Sequence, residues 1–538
     1  MRAVRNRLLW RIADRKLQRQ IARVETYLRK KGRWAEAERP VLFFNASTRI
    51  HRLSLNGAFS LLASWALRAQ GVPVRYLVCQ RGMEVCILGT SLKDYASPPP
   101  CVRCTRFSQV LFPADLVVPL EFDQGEAQAA GAALEGRSLQ DLAEWSWKGL
   151  PLGELCLPGL RWALRRHHLP DDEPTRQLYR RYLRSAASLA ARVEIVLDRL
   201  RPRALVVFNG LTYPEAVARR VARGKGIPVI THEVGLRPYS AFFSHEDATF
   251  REVEIPPEFE LGPTEDAQLD RYLEDRKLGR FTMAGIRFWP EMRPLPDWLE
   301  ERLRAHRQMV PVFTNVVFDT SQVHANALFA DMFEWLDDLR EVIDWHPETL
   351  FVLRAHPDED RPGKESRESV ADWAARLGLG RCPNVAFFAP SEYVSSYELI
   401  QGAKFVMVYN SSVGLEASIL GKPVLCAGRA RYTQLPTVFF PSSREAYRGQ
   451  LEAFLRDAVI DVPLEFATNA RRFLFYELYR ASLDLSSFLR PFPQAPGMVL
   501  FEAFDPHTLE AESNLAAICS GILAGGRLVL PERQAFTS

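Results

Sequence analysis

The sequence predicts an α/β protein with two domains, each built on a mainly parallel β-sheet. Short apolar runs alternate with helical segments over two long stretches of the chain, and several helical segments stop at a glycine before the next apolar run. This alternation favours parallel sheets with helices on both faces. A chain of 538 residues also exceeds what a single hydrophobic core usually holds.

Residues 1–40 are predicted to form a basic amphipathic helix. Apolar residues recur at helical spacing, and twelve Lys and Arg residues between positions 2 and 33 stand against only two acidic residues. Such a helix can lie on an anionic membrane surface, so we expect peripheral contact of residues 1–35 with the inner membrane face. The alternative is that the apolar stripe packs on the protein body.

Residues 41–250 are predicted to form the first Rossmann-like domain, which would bind the acceptor. An apolar run at 41–44 is followed by a polar loop, a helix that stops at Gly71 and a second apolar run, which is a βαβ order. The same order returns at 204–231. We expect a largely helical insertion at about 135–200.

Residues 251–310 are rich in Pro, Glu and Arg and are interpreted as an interdomain segment. A second Rossmann-like domain is predicted at 311–440, because five further apolar runs alternate there with helical segments. This domain would bind a nucleotide-sugar. The remaining residues, 441–538, are predicted to be mainly helical.

Two predicted strand ends in the second domain carry residue types that bind phosphate. One strand ends at Arg354 and continues into His356 and Pro357. The other runs into Asn410-Ser411-Ser412 and then a helix, in which Gly414 would let a ligand approach the backbone. Helix-start N–H groups, hydroxyls and a guanidinium favour an anion. The alternative is that a serine merely caps the helix.

A third strand end, in the first domain, carries Glu233. A carboxylate there would face the second domain across the cleft, where an inverting glycosyl transfer needs a base to take the proton of the acceptor hydroxyl. The alternative is a structural pair between Glu233 and either His232 or Arg237.

Further loop residues are expected to line the cleft or to contact the acceptor. For the basic ones the alternative is simple solvation, and for the aspartate it is helix capping. The set is Arg49, His51, Arg52, Asn209, Gly235, Arg237 and Asp319.

These strand-end motifs carry a family resemblance. Glu233-Val-Gly235-Leu-Arg237-Pro238, then His356-Pro357, then Ser411-Ser412 with Gly414 and Glu416 resemble the capsule-polysaccharide Kdo transferases. The order is also similar to that of bacterial sialyltransferases that use CMP-sugars. The resemblance extends over about residues 200–430.

The resemblance implies a GT-B fold, a nucleotide-sugar donor with a CMP-sugar favoured, and no cofactor for catalysis. By the same resemblance Glu233 is the base. His356 and the two serines hold the donor phosphate, and Glu416 meets the nucleotide ribose.

Four cysteines fall close together and form a separate candidate site. Cys79, Cys86, Cys101 and Cys104 lie within 26 positions, and the last two form Cys-x-x-Cys. Four thiolates suit a structural zinc ion or an iron–sulfur cluster. The alternative is four ordinary reduced cysteines, which suit a reducing compartment.

Together these patterns predict an inverting, metal-independent glycosyltransferase acting on a surface polysaccharide or lipid-linked glycan. The alternatives are a nucleotide-sugar epimerase and a non-catalytic sugar-nucleotide-binding or assembly protein. Nucleic acid is not an expected partner, because the net charge is only +4 and the excess of basic residues lies in the first 33 positions. We expect a cytoplasmic location, since neither a secretory signal nor a membrane-length apolar run is recognisable.

Overall fold

The computed structural model describes residues 2–31, 38–44, 52–249, 252–278, 280, 292–492 and 497–531. In these residues the strands, in chain order, are β1 Val41–Phe44, β2 Val74–Cys79, β3 Val117–Leu120, β4 Ala204–Phe208, β5 Val229–Val234, β6 Ser240–Ser244, β7 Gln308–Phe313, β8 Thr349–Arg354, β9 Val385–Phe388, β10 Val406–Val408, β11 Val424–Cys426, β12 Leu483–Asp484, β13 Leu489–Pro491 and β14 Val499–Phe501.

The α-helices of the described residues, again in chain order, are α1 Arg2–Lys30, α2 Leu55–Ala69, α3 Cys101–Leu111, α4 Gln124–Leu134, α5 Leu139–Ala143, α6 Leu152–Leu164, α7 Glu173–Leu200, α8 Glu215–Gly224, α9 Pro263–Lys277, α10 Asp297–Ala305, α11 Met332–Trp345, α12 Val370–Arg376, α13 Ser396–Gly402, α14 Val413–Ile419, α15 Arg444–Arg456, α16 Leu464–Tyr476, α17 Thr508–Ala511 and α18 Ser513–Ala524. In this part of the chain, no helix combines the length and the apolar character needed to cross a membrane.

The first sheet has the strand order β12-β6-β5-β4-β1-β2-β3. Strands β1 to β5 run parallel, whereas β6 and β12 pair antiparallel at one side. The central strands are apolar and buried on both faces, which is the pattern of a sheet covered by helices on two sides. The helices α4 to α7 lie between β3 and β4 in the sequence. Of these, α5 to α7 fall in the predicted insertion at about 135–200, and α4 precedes it.

The second sheet has the order β11-β10-β7-β8-β9, and its strands are parallel throughout. With the first sheet it confirms the expected α/β class of two Rossmann-like sheets that face a cleft, the GT-B arrangement. The carboxyl ends of β7, β8 and β10 meet at one edge because parallel strands share their direction. This edge faces the first domain.

The described residues after 440 are mainly helical, as predicted, but they also contain three short strands. Helices α15 and α16 pack with the second domain, but β12 then joins the first sheet, and the β13–β14 hairpin and α18 bury Phe488, Leu515 and Ile518 in the core of the first domain. A two-residue strand has no readable periodicity, so the sequence pattern gave no sign of this return. The chain therefore crosses between the domains twice.

The helix α1 packs its apolar stripe on the first domain. Leu17, Ile21, Val24 and Leu28 are buried in the same core as α2, and Ile12 is exposed. Among the described side chains the stripe thus has a protein partner, which is the alternative to a membrane-facing stripe.

Two ion pairs fix the orientation of α1. Glu25 accepts two hydrogen bonds from the buried guanidinium of Arg68 at 2.6 and 2.7 Å. Asp14 accepts two from Arg52, which also lies over the ring of Trp10. Arg52 therefore holds this helix and does not line the cleft, because its guanidinium is taken up by Asp14.

We expect Glu25→Ala to lower the free energy of unfolding of the first domain by about 3 kcal/mol, because it removes the carboxylate that balances a buried guanidinium. Urea unfolding followed by tryptophan fluorescence measures the change. Arg29→Ala is the matched control on the same helix, since its pair with Asp115 is exposed on both sides and should contribute little. Equal losses in the two variants would contradict the prediction.

Candidate active site

A cavity of about 420 Å³ opens between the two domains at the carboxyl edge of the second sheet. The ends of β7, β8 and β10 form its floor. Leu236 and Thr249 reach it from the first domain, and Tyr272 and Glu477 reach it from helical segments near the domain crossings. Three strand ends therefore surround one cavity, and the sequence analysis selected residues at or after each of them.

Arg354 supplies a buried positive charge at this cavity. Its side chain is 5% exposed, and burial lowers the pKa of the guanidinium to about 10. Among the described residues its recorded polar contact is the sulfur of Met292 at 3.6 Å, with no carboxylate partner. A buried cation without a counter-ion is costly, so an anion entering this cavity would relieve a real electrostatic penalty.

His356 lies beside Arg354 in a fixed tautomer when it is neutral. Its Nδ1 accepts a hydrogen bond from the backbone N–H of Asp358 at 3.1 Å, at the start of the short turn Pro357–Asp360. The neutral ring then carries its proton on Nε2. Burial and the neighbouring Arg354 both lower the pKa of this imidazole, whereas Asp358 raises it.

The end of β10 divides its polar groups between structure and cavity. Asn410 is held by Gln322 and by the carbonyl of Ser321, and so ties β10 to the loop after β7. The Ser411 hydroxyl accepts from the N–H of Val413 at 3.4 Å. The exposed Ser412 makes no side-chain capping bond, so the capping alternative holds for Ser411 and leaves the Ser412 hydroxyl open to the cavity.

Gly414 does not line the cavity, which corrects the expectation that it lets a ligand approach. A Cβ at this position would lie 2.7 Å from the hydroxyl of Tyr432 and 3.0 Å from Cγ2 of Val408. The glycine therefore allows α14 to pack closely on β10.

Glu416 lines the cavity, but its carboxylate is already engaged. It accepts a hydrogen bond from Arg276 at 2.6 Å and another from the hydroxyl of Tyr397. Burial disfavours the charge on Arg276, but Glu416 and Tyr272 outweigh it and raise the pKa of this guanidinium. The cluster forms a polar wall, and a ribose contact of Glu416 would have to compete with these partners.

Glu233 lies at the end of β5 and is held by amide donors. Asn56 donates to its Oε1 and Asn209 to its Oε2, both at 2.9 Å. Asn209 also donates to Thr249, whose hydroxyl lies 3.4 Å from that of Thr320 in the second domain. This network orients the carboxylate at the seam between the domains. It replaces the expected alternative pairing with His232 or Arg237.

Burial raises the pKa of Glu233, and the nearby carboxylate of Asp319 adds to the effect, whereas the hydrogen bonds from Asn209, Val234 and Asn56 lower it. Asp319 also caps the turn Thr320–Gln322 by accepting a hydrogen bond from the Ser321 N–H. It therefore both lines the cleft and caps a helical turn, the two interpretations given in the sequence analysis. Its side chain borders the cavity described above and a second one.

The second cavity, of about 550 Å³, continues from Asp319 along the domain seam. Arg161, Arg219, Arg220 and Arg223 line it from the first domain. Glu246 lies within 4 Å of two of them, and burial lowers the pKa of Arg161 and of Arg219. Four carboxylates, Glu154, Glu246, Asp247 and Asp319, line the same cavity, so this part of the cleft carries both signs of charge.

Sequence reasoning did not find Asn56 or Thr249. Asn56 stands in the first turn of α2, which follows β1, and Thr249 follows the last strand of the first domain's continuous part. The position of Asn56 in the sequence could have identified it. Strand β1 lies beside β4, so the connection that follows β1 opens at the same sheet edge as the one that follows β4.

Two predicted cleft residues serve the fold of the first domain instead. A Cβ at Gly235 would lie 2.3 Å from the Ser240 hydroxyl, so this glycine permits the tight β5–β6 hairpin. Arg237 donates to the carbonyl of Ser482 and pairs with Asp484, and thus fixes β12 to the sheet. Arg49 and His51 lie outside the described residues.

The four candidate cysteines surround one small apolar cavity, and none of the four forms a disulfide. Burial raises the pKa of Cys86 to about 12 and also raises the pKa of Cys101. Among the described residues, one group of three potential metal-ligand atoms lies within 4.8 Å of one another, and it contains no cysteine sulfur. Metal binding by these cysteines stays a prediction.

The family comparison covers the strand ends that form this cavity. Residues 297–435 match the model of the capsule polysaccharide biosynthesis protein family. This range contains Asp319, Arg354, His356 and the segment from Asn410 to Glu416, so the predicted capsule resemblance is confirmed there. The resemblance to sialyltransferases stays a prediction.

Individual proteins match this chain at low sequence identity. Protein FixF of Sinorhizobium fredii (strain NBRC 101917 / NGR234) is 28% identical over 237 residues, which cover 42% of this chain and 49% of that protein. The chain thus aligns with about half the length of this curated relative.

Solved structures with similar folds include two KpsC domains of Thermosulfurimonas dismutans. The beta Kdo 2,4 transferase is 16% identical with a TM-score of 0.35, and the beta Kdo 2,7 transferase is 20% identical with a TM-score of 0.31. Each match covers 52% of this chain and 80% of the other. UDP-GlcNAc 2-epimerase of Neisseria meningitidis is 13% identical with a TM-score of 0.25, covering 82% of this chain and 99% of the other.

We expect Gly414→Ala to destabilise the second domain by about 1–3 kcal/mol, because the added methyl meets Tyr432 and Val408 in a packed core. Thermal unfolding measures the loss. Gly449→Ala is the matched control, since this glycine lies within α15 and has open space around the position of a Cβ. There alanine should stabilise the helix slightly. A neutral Gly414→Ala would show that the packing is less tight than described.

Proposed function

We propose that this protein is a glycosyltransferase of capsule polysaccharide biosynthesis. It transfers a sugar from a nucleotide-sugar to a polysaccharide or lipid-linked glycan acceptor, with inversion at the anomeric carbon and without a catalytic metal ion. The observation that carries the proposal is a buried cation, Arg354, in the cavity lining, together with an amide-held carboxylate, Glu233, which Asn209 links to Thr249 of that lining.

The donor phosphates bind at the edge of the second sheet. Among the described residues Arg354 has no carboxylate partner, His356 lies beside it with its proton on Nε2 when neutral, and the Ser412 side chain makes no capping bond. These groups all donate hydrogen bonds to an anion. They stabilise the negative charge that grows on the leaving nucleotide as the glycosidic bond breaks.

Glu233 is the general base. Asn56 and Asn209 hold its two oxygens in place, and burial raises its pKa toward the range in which a carboxylate removes a hydroxyl proton effectively. The acceptor hydroxyl attacks the anomeric carbon and loses its proton to Glu233. The nucleotide leaves with the electron pair of the broken C–O bond.

The acceptor occupies the arginine-lined part of the cleft beside Asp319. Four arginines line this part, and partial burial disfavours the charge on two of them. Carboxylates or phosphates on the acceptor would compensate those charges. The proposed acceptor is therefore an acidic glycan or a glycan on a phosphorylated lipid.

We expect one class of nucleotide-sugar, with CMP-sugars the first to test, to bind the purified protein in isothermal titration calorimetry. Arg354→Met and His356→Ala should each weaken that binding roughly 10- to 100-fold, because each removes a hydrogen bond to a charged group. Arg376→Ala, at an exposed arginine of the same domain, is the matched control and should bind as the parent does.

The outcomes separate the competing functions. If CMP-, UDP- and GDP-sugars all fail to bind, the transferase proposal is wrong. Release of an isomerised nucleotide-sugar in the absence of any acceptor would identify an epimerase. Donor binding without any turnover, unaffected by changes at Glu233, would identify a non-catalytic binding protein.

We expect Glu233→Gln to lower kcat by roughly 10²- to 10⁴-fold while donor affinity stays the same, because the amide cannot accept the proton. In the parent protein, activity should rise with pH through the raised pKa of Glu233. Asn209→Ala should move this acid limb to higher pH, since it removes a hydrogen bond that lowers that pKa. The pH profile of kcat/KM measures both. An acid limb that stays unchanged in Asn209→Ala would remove Glu233 from the role of base.

A further inference from the structure

Two histidines of the first domain meet a carboxylate of the second domain, and His167 also lines the second cavity. His167 and His168 follow the end of α6, where Arg165 adopts a left-handed conformation with φ of 60° and turns the chain. Asp331 caps the start of α11 in the second domain. The cluster therefore joins two bodies that the proposed reaction also requires to come together.

The ligand atoms of this cluster converge on one point. Oδ2 of Asp331 lies 3.1 Å from Nε2 of His168 and 3.8 Å from Nε2 of His167. All three ligand atoms lie within 4.8 Å of one another. Donors bonded at about 2.0–2.1 Å to a tetrahedral zinc ion are separated by about 3.4 Å. The observed separations bracket that value, so small side-chain shifts would suffice.

The surroundings of the ligands have the organisation of a metal site. Oε1 of Glu368 lies 2.7 Å from Nδ1 of His168, the ring nitrogen that faces away from Asp331. A carboxylate behind a ligating histidine orients the ring and increases its basicity. Glu368 is itself fixed, because its Oε2 accepts the backbone N–H groups of His167 and His168, both at 2.8 Å.

Asp331 is also pre-positioned. Its Oδ1 accepts the N–H groups of Phe333 and Glu334 at 2.7 and 3.1 Å, which leaves Oδ2 to face the histidines. Two carboxylates, Asp331 and Glu368, therefore lie at the histidines, and among the described residues Arg161 is the cation recorded as interacting with both. This charge balance accepts a divalent cation.

We propose that His167, His168 and Asp331 bind one zinc ion that bridges the two domains. Two imidazoles and one carboxylate match the ligand preferences of zinc, and a water molecule would complete the tetrahedron. Because the ligands come from both domains, the ion binds the closed arrangement better than any opened one and shifts the population toward closure. The site goes beyond the proposed transfer reaction, which needs no metal at Glu233 or Arg354.

The test uses the full chain carrying Cys101→Ser and Cys104→Ser, so that the cysteine cavity does not contribute. After chelator treatment and its removal, we expect one equivalent of Co²⁺ to bind with the visible absorption of a tetrahedral site, and one equivalent of Zn²⁺ to displace it and raise the Tm. Asp331→Asn should abolish the absorption, and asparagine still caps α11. Glu368→Gln should weaken Zn²⁺ binding roughly 10- to 100-fold.

His324→Ala provides the matched control. His324 forms another histidine–aspartate pair across the domains, with Asp247 at 3.2 Å, but lies outside the proposed ligand set. The His324→Ala variant should bind one Zn²⁺ as tightly as the parent protein does. The proposal is overturned if no metal binds in the cysteine-substituted chain, or if Asp331→Asn and His167→Gln bind Co²⁺ as the parent does.

Discussion

Parallel strands present their carboxyl ends at one edge of a sheet, and the candidate site depends on this constraint in both domains. In the second sheet the constraint gathers residues that lie far apart in the sequence, Asp319, Arg354 and Ser412, around one cavity. In the first sheet it places Asn56, Asn209 and Glu233 within hydrogen-bond distance. Because the two edges face each other, neither domain contains the whole site.

The two edges carry opposite electrostatic problems. Arg354 is a cation withdrawn from water without a carboxylate, whereas Glu233 is a carboxylate withdrawn from water with only neutral amide and backbone donors. Each arrangement is unfavourable for the free protein and suited to a partner that supplies the missing charge or gives up a proton. In the proposed reaction the two charges have separate roles: Arg354 binds an anion, and Glu233 removes a proton.

The sequence was informative where periodicity and strand ends decide the structure, and uninformative where distant segments compete for a side chain. The apolar runs located both sheets, and with them the edges that hold Glu233, His356 and Ser412. Arg52 and Arg237 were wrongly expected in the cleft because their partners, Asp14 and Asp484, lie in segments whose docking no local pattern reveals. Gly414 was expected to open space for a ligand, but the packing of Tyr432 occupies that space.

The return of the chain through β12 makes the first domain discontinuous. Its sheet and core include Leu483, Phe488, Leu515 and Ile518, which follow the whole second domain in the sequence. During synthesis the second domain is therefore available to fold before the first has received its last strand and its covering helix. A ribosome that stalls between the two releases a folded sugar-nucleotide fold beside an incomplete one, with an open sheet edge at β6 exposed to pairing with other chains.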